Sequence, residues 1–342
     1  MQCVVGGDKM VKQWFWAVAA LFFACISATG VAVAGQPVPA NQPFTVPNQS
    51  PLALSLVPFT PSAAALDPKG SSSLSVTAAY SSIFVQQSSR AANLDLDMEL
   101  GYVSLGYAYT LHPRVRLGVE LPAAFYWGGF LDGFIESYHR ALGLPNGGRE
   151  NAPQDRVRYD VSSRGKRIVS QDGSTQAVGD LRLKGAWMLW QGGGPALSLM
   201  GQVSLPTGDP DKGLGAGGAI PALGLSGDWP LGRFTLNANA MYFYLGSTSL
   251  LDPLEPDDVW AGSLSLGWAW SDALTLRGQI NGATALVQDT GVEGLDNAML
   301  QVLLGVQFKP CQGQLISLAF AEDLVYYTSP DFTLSLSWGW VF

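Results

Sequence analysis

Residues 332–342, FTLSLSWGWVF, decide how this chain is built. Phe332, Leu334, Leu336, Trp338, Trp340 and Phe342 fall on every second position, with Thr333, Ser335, Ser337, Gly339 and Val341 between them. A period of two with apolar and aromatic residues on one face predicts a strand whose outer side meets a greasy environment. About ten residues of such strand cross a bilayer when tilted. The expected fold class is therefore all-β, a transmembrane antiparallel β-barrel.

Working back from this end, further segments read the same way, at about 74–84, 93–109, 114–126, 178–190, 196–206, 219–229, 232–245, 259–271, 273–287, 297–309 and 314–323. Leu181, Leu183, Gly185, Trp187 and Leu189 oppose Asp180, Arg182, Lys184, Ala186 and Met188. Trp260, Gly262, Leu264, Leu266, Trp268 and Trp270 form another apolar face. The segment at 93–109 changes phase near Tyr102-Val103, which predicts either a bulge there or a strand boundary placed differently. The connections carry independent weight. Those at Leu111-His112-Pro113, Gly192-Gly193-Gly194-Pro195, Pro230-Leu231, Ser271-Asp272 and 309–313 are short, whereas 85–92, 127–177, 207–218, 246–258, 288–296 and 324–331 are longer. Short periplasmic turns alternating with long external loops are the wiring of an outer-membrane barrel, here of about 12 strands. Aromatic residues near strand ends, Tyr107, Tyr109, Trp127, Trp187, Trp229 and Trp260 among them, suit interfacial girdles.

At the other end, Lys9 and Lys12 precede an apolar run from Trp14 to Ile26, and Ala32-Val33-Ala34 offers small residues for cleavage. This reads as a secretory signal peptide over residues 1–34. Of 19 basic and 27 acidic residues, Lys9, Lys12 and Asp8 leave with it, so 17 stand against 26, a net charge of −9. An acidic chain without a basic stripe excludes nucleic acid as a partner. Cys311 remains alone, so no internal disulfide is expected.

Three regions are then candidates for function. Within the barrel (74–342), the faces opposite the apolar ones should line a lumen: Asp95, Asp97, Glu99, Arg116, Glu120, Arg182, Lys184, Arg233 and Arg277, with Asn237, Asn239, Gln279, Asn281 and Gln301. They form either a self-neutralising network that packs the interior or a polar path for solutes. Residues 35–73 are rich in proline, which forbids regular structure over most of the stretch. They form a periplasmic tether or a plug in the lumen, and the apolar run Leu52 to Val57 with Phe59 favours the plug. The loop 127–177 is too long for a plain connection. Phe130, Phe134, Tyr138 and Leu142 recur every four residues, predicting a short amphipathic helix ended by Gly143 and Pro145, with Asp132, Glu136, His139 and Arg140 on its other face. Arg156 to Val169 reads as a hairpin. The binding candidates here are Asp132, Glu136, His139, Arg140, Arg149, Arg156 and Arg158.

The terminal Phe342 resembles the assembly signal of Gram-negative outer-membrane barrel proteins. The segment GGFLDGFIESYHRALGLPNGGRE (128–150), with NQSPL (48–52) and VGDLRL (178–183), resembles an uncharacterised family of bacterial envelope proteins known only as a domain of unknown function. That resemblance implies an outer-membrane location and brings no catalytic residues. A broader similarity, to outer-membrane transporters of hydrophobic compounds, rests on Thr207-Gly208-Asp209 and an amino-terminal plug.

Enzyme signals are thin. Glu136-x-x-His139 is not a complete acid–base or metal site, Gly213-x-Gly215-x-x-Gly218 lacks the strand and helix of a dinucleotide fingerprint, and Asp209-x-Asp211-x-Gly213 lacks the glutamate of a calcium loop. No catalytic residue, metal or cofactor is expected. The leading function is passage of a small, even amphipathic, solute, with loop 127–177 folded over or into the mouth. The second is a surface protein whose loop binds lipopolysaccharide phosphates or an envelope partner through Arg140, Arg149, Arg156 and Arg158; the third is a surface enzyme using His139. Expected partners are outer-membrane lipid and lipopolysaccharide, the export and barrel-assembly machinery, and a small-molecule solute.

Overall fold

The computed structural model describes residues 42–143, 145–246 and 248–342, so the expected signal peptide lies outside the described residues. In chain order the strands are β1 (Ser72–Ser88), β2 (Ala92–His112), β3 (Val115–Trp127), β4 (Arg158–Ser163), β5 (Lys166–Gln171), β6 (Thr175–Val178), β7 (Leu181–Gln191) and β8 (Ala196–Leu205). They continue with β9 (Ile220–Leu231), β10 (Phe234–Phe243), β11 (Val259–Ala269), β12 (Leu274–Ala283), β13 (Met299–Phe308), β14 (Gln314–Asp323) and β15 (Phe332–Val341). All but β4 to β6 form one antiparallel 12-strand ring, closed where β15 pairs with β1. Closure pairs every strand on both sides, which removes the unsatisfied edges that a bilayer would not tolerate.

The alternation read from the sequence sets which side chains meet lipid. Along β11, Trp260, Leu264 and Leu266 are exposed while Ser263 and Ser265 are buried inside the ring; along β10, Thr235, Asn237 and Asn239 are the inward set. At the closing seam the inward residues are small hydroxyls: Thr77 Oγ1 lies 3.1 Å from Ser337 Oγ, and Ser81 Oγ 2.8 Å from Thr333 Oγ1. Outside, Leu334 is exposed, whereas Trp338 is covered and donates its indole N–H to Gln314.

Strand β2 departs from expectation in an instructive way. There is no bulge at Tyr102-Val103: both residues keep register with Ala79 and Ala78 of β1 and with Ala124 and Ala123 of β3. The parity is unbroken, so Asp95, Asp97 and Glu99 share the outward face of Leu105, Tyr107 and Tyr109, while Leu94, Leu96, Met98, Leu100 and Tyr102 point inward into the core. The polarity inverts because the surroundings do. The first external connection is also shorter than the expected 85–92, since β1 and β2 run on together to Ser88 opposite Asn93. Above the end of β3 their wall is continued by β4, which pairs with Ala92–Asp97 of β2, and by β5.

Two further segments complete the fold. Residues 42–71 run through the ring and include a short helix, α1 (Pro51–Leu56), which starts with proline at its first position, where a missing N–H costs nothing. The helix α2 (Asp132–Leu142), ended by Gly143 in the left-handed region, lies on the outside of the wall rather than over or into the mouth. Its ring contacts are with the outward residues Phe332 and Phe320.

Candidate functional site: the filled lumen

Five of the nominated charges meet inside the ring. Glu120 on β3 accepts from Arg182 Nη1 at 2.6 Å and Lys184 Nζ at 2.5 Å, both on the neighbouring β7. Arg116 faces Asp67 at 3.7 Å. Arg277 on β12 has no carboxylate in contact among the described residues; it donates to Asn237 Oδ1 and Ser265 Oγ, each at 2.6 Å, and to Gln307 Oε1 at 3.0 Å. Buried charges persist only when paired or hydrogen-bonded: the Glu120 pairs join adjacent strands, Arg116 reaches the inner segment, and Arg277 reaches β10, β11 and β13.

The same inward side chains also hold residues 42–71. A proline-rich stretch outside any ladder leaves backbone N–H and C=O groups that need partners when buried. The wall supplies them. Gln279 accepts from Phe44 N (2.8 Å) and donates to Phe44 O (3.1 Å), and Gln307 donates to Gln42 O. Asp228 accepts from the N–H groups of Ala64 (2.8 Å) and Ala65 (3.0 Å), Asn239 accepts from Ser62 N, and Ser226 and Ser198 donate to the carbonyls of Ser62 and Ala64. Arg182 reaches Leu54 O, and Lys184 reaches Thr60 Oγ1 at 2.8 Å. Between this segment and the β1–β3 wall lies a cavity of about 230 Å³, bordered by Asp67, Arg116, Glu120, Lys184 and Gln202. Burial pushes the Asp67 carboxyl above its ordinary range, against the pull of Arg116.

Toward the outside the filling changes character. Leu52, Leu54, Leu56 and Val57 pack in one apolar core with Leu94, Leu96 and Leu100 of β2 and with loop residues Leu214, Leu250, Leu251, Leu286 and Leu295. Polar ties fix this packing. Ser55 Oγ donates to Gly213 O (3.0 Å) and accepts from Gly215 N, joining α1 to loop 207–218. That loop hangs in turn on Asp180, which accepts from Gly208 N and Ala216 N at 2.8 and 2.9 Å. Asn48 donates to Ser329 Oγ and Thr328 O in the last external loop.

The remaining nominated residues lie elsewhere. Asp95 and Asp97, expected in the lumen, face outward and pair with Arg156 and Arg158 of the long loop (Arg156 Nε to Asp97 at 2.9 Å, Arg158 Nε to Asp95 at 3.1 Å). Glu99 accepts from the N–H groups of Phe130 and Leu131 at the start of α2 and from Tyr80 Oη, an anionic cap on a helix terminus. Arg233 is exposed in the β9–β10 turn rather than on a lumen face, because β10 begins only at Phe234. Of the loop candidates, Arg149 is buried between Asp132 and Asp331 and sits 5.1 Å from the Phe84 ring. Burial raises the Asp331 carboxyl, against the opposing pull of Arg149. His139, 4% exposed, lies 3.5 Å from Glu322 beneath α2. Glu136 is half-buried and Arg140 exposed. The cations nominated for phosphate binding are thus consumed in pairs, apart from Arg140, for which no carboxylate contact is described.

Asp67, Asp228, Ser55 and Asn48 had not been singled out. Asp228 was readable, since Ser226 and Asp228 continue the inward parity of β9; Ser55 and Asn48 depend on long-range contacts that no local pattern reveals.

The ring matches solved outer-membrane structures. The COG4313 outer membrane channel from Pseudomonas putida F1 aligns with a TM-score of 0.55 at 16% identity, over 83% of this chain and all of that one. The NanC porin aligns at 0.43 with 8% identity over 78% and 98% of the two chains. The P. putida toluene transporter TodX aligns at 0.37 with 13% identity over 80% and 89%. The likeness of architecture rests on the first of these: the fold is that of an outer-membrane barrel. No curated protein sequence matches the chain. The profile described as "Protein of unknown function (DUF3187)" matches residues 21–342, and the chain belongs to that family.

Proposed function

We propose that this protein is an outer-membrane passage for small solutes, held shut by its own amino-terminal segment, with residues 42–71 as the plug. The carrying observation is that the lumen is filled by a separable stretch of chain bound through its backbone, not by interlocking side chains of the wall. A 12-strand ring is wider than one that side chains fill unaided. The cavity beneath the plug, where Asp67, Arg116, Glu120 and Lys184 stand among apolar residues such as Val119, Met200 and Met241, and the apolar seal above it suit a solute with both polar and apolar parts. Arg149, Arg156, Arg158 and His139, each set against a carboxylate of the protein itself, favour this reading over phosphate binding or catalysis.

Single-channel recording of the protein purified from outer membranes tests it. The intact chain should be silent, while a variant lacking residues 42–71, and separately Leu56→Asp, should give conductance steps. Leu56 is fully buried in the seal, and a charge placed there is expelled at a cost of several kcal/mol. Silence in both variants, with the barrel intact, would make the lumen a packed core and end the proposal.

A further inference from the structure

We infer that α2 is a lipid-embedded collar, lying in the outer leaflet against the wall with its aromatic flank among acyl chains. This stands whether or not the lumen conducts.

Height comes first. From Phe342 to Phe332 are ten strand steps, about 33 Å at 3.3 Å each, or about 25 Å along the axis for a tilt of roughly 40°. That matches the height of an outer-membrane apolar band, so with Trp340 and Phe342 at the periplasmic girdle, Phe332 stands at the external one. Helix α2 is seated at that level: Phe134 meets Phe332 edge-on with centroids 6.1 Å apart, and Tyr138 meets Phe320 at 6.4 Å.

The helix itself has three sides. Asp132, Ile135 and His139 are buried against the wall. Gly133, Ser137 and Arg140 are exposed on the side away from the band. Phe134 lies on the flank between them, 54% exposed, and Phe130 just before the helix is 65% exposed while packing on Tyr80 and Trp127. Both rings continue the lipid-facing surface formed by Leu318 and Leu334 on the strands beneath. An amphipathic helix with aromatics on the flank nearest the bilayer and a cation on the far side has the form of an interfacial helix. The occupant is therefore the acyl region of outer-leaflet lipid, in continuity with the barrel's own lipid contact.

Site-directed spin labelling tests the orientation. In full-length protein with Cys3, Cys25 and Cys311 replaced by serine, single cysteines are introduced as Phe134→Cys, Phe130→Cys, Arg140→Cys and, for reference in the band, Leu334→Cys. Each is labelled with a nitroxide and reconstituted in phosphatidylethanolamine–phosphatidylglycerol vesicles. At 134 and 130 collisions with dissolved oxygen should exceed those with a water-soluble nickel chelate, as at 334, and the order should reverse at 140. Labels at 134 and 130 that both follow the pattern of 140 would overturn the inference. Phe134→Cys gives up the ring contact with Phe332 and Phe130→Cys those with Tyr80 and Trp127, but the buried anchors Asp132, Ile135 and His139 stay in place, and two sites guard against a local disturbance at one.

Discussion

Strands β2 and β11 obey the same alternation and present opposite chemistry. On β11 the outward residues are Trp260, Leu264, Leu266 and Trp268, and the inward ones at mid-strand are Ser263 and Ser265, with Val259 and Ala261 joining the apolar core at the external end. On the external half of β2 the outward residues are Asp95, Asp97 and Glu99, and the inward ones are Leu94, Leu96, Met98 and Leu100. The difference lies in what each face touches. The outside of β11 meets lipid, whereas that of β2 meets arginines of β4 and its approach and the start of α2. The inside of β2 meets the leucines of α1, whereas Asn237 and Arg277 gather about the serines of β11. Strand geometry assigns two faces; neighbours decide which is greasy.

Four substitutions test this contrast, each read as unfolding free energy in urea unless stated. The largest loss belongs to Glu120→Gln, which leaves Arg182 and Lys184 without their shared buried counter-charge; breaking such a pair costs about 3–5 kcal/mol. Leu264→Lys comes next. Leu264 lies midway between Trp260 and Trp268 on the lipid face, where a lysine costs about 2–4 kcal/mol. Glu99→Gln removes a charge-assisted acceptor from the start of α2, worth about 2 kcal/mol, and should speed amide exchange over residues 130–142 by roughly thirty-fold while the rest of the barrel is unmoved. Asp95→Asn should cost least, under about 1 kcal/mol, because its partners Arg156 and Arg158 are about one-third exposed. A neutral Leu264→Lys, or an Asp95→Asn costlier than it, would collapse the distinction between the two outward faces.

The sequence made the ring legible because lipid imposes a strict rule on it. Each of the ring's strands overlaps a segment with apolar alternation, and the short periplasmic turns mark their order. It was less informative where protein replaces lipid. Period-two polarity is symmetric between inside and outside, so polarity alone puts the acids of β2 in the lumen and makes the inversion at Tyr102 look like a break in phase. Arg149 and His139 were read as exposed loop chemistry because their partners, Asp331 and Glu322, lie more than 180 residues away along the chain. The apolar residues of 52–59 did carry a signal, since a stretch that greasy needs a cover.

The long β1–β2 hairpin has one further consequence. β2 has 21 residues, about 70 Å of strand and roughly 50 Å along the axis at a 40° tilt, twice the height of the apolar band. Its tip at residues 89–91, with Arg90 exposed, is thus carried well above the bilayer by paired backbone rather than by a mobile loop. The cell surface is offered a stiff, raised rim, in which the hairpin tip is tied to Arg164 of the β4–β5 turn and to Thr290 of the neighbouring loop.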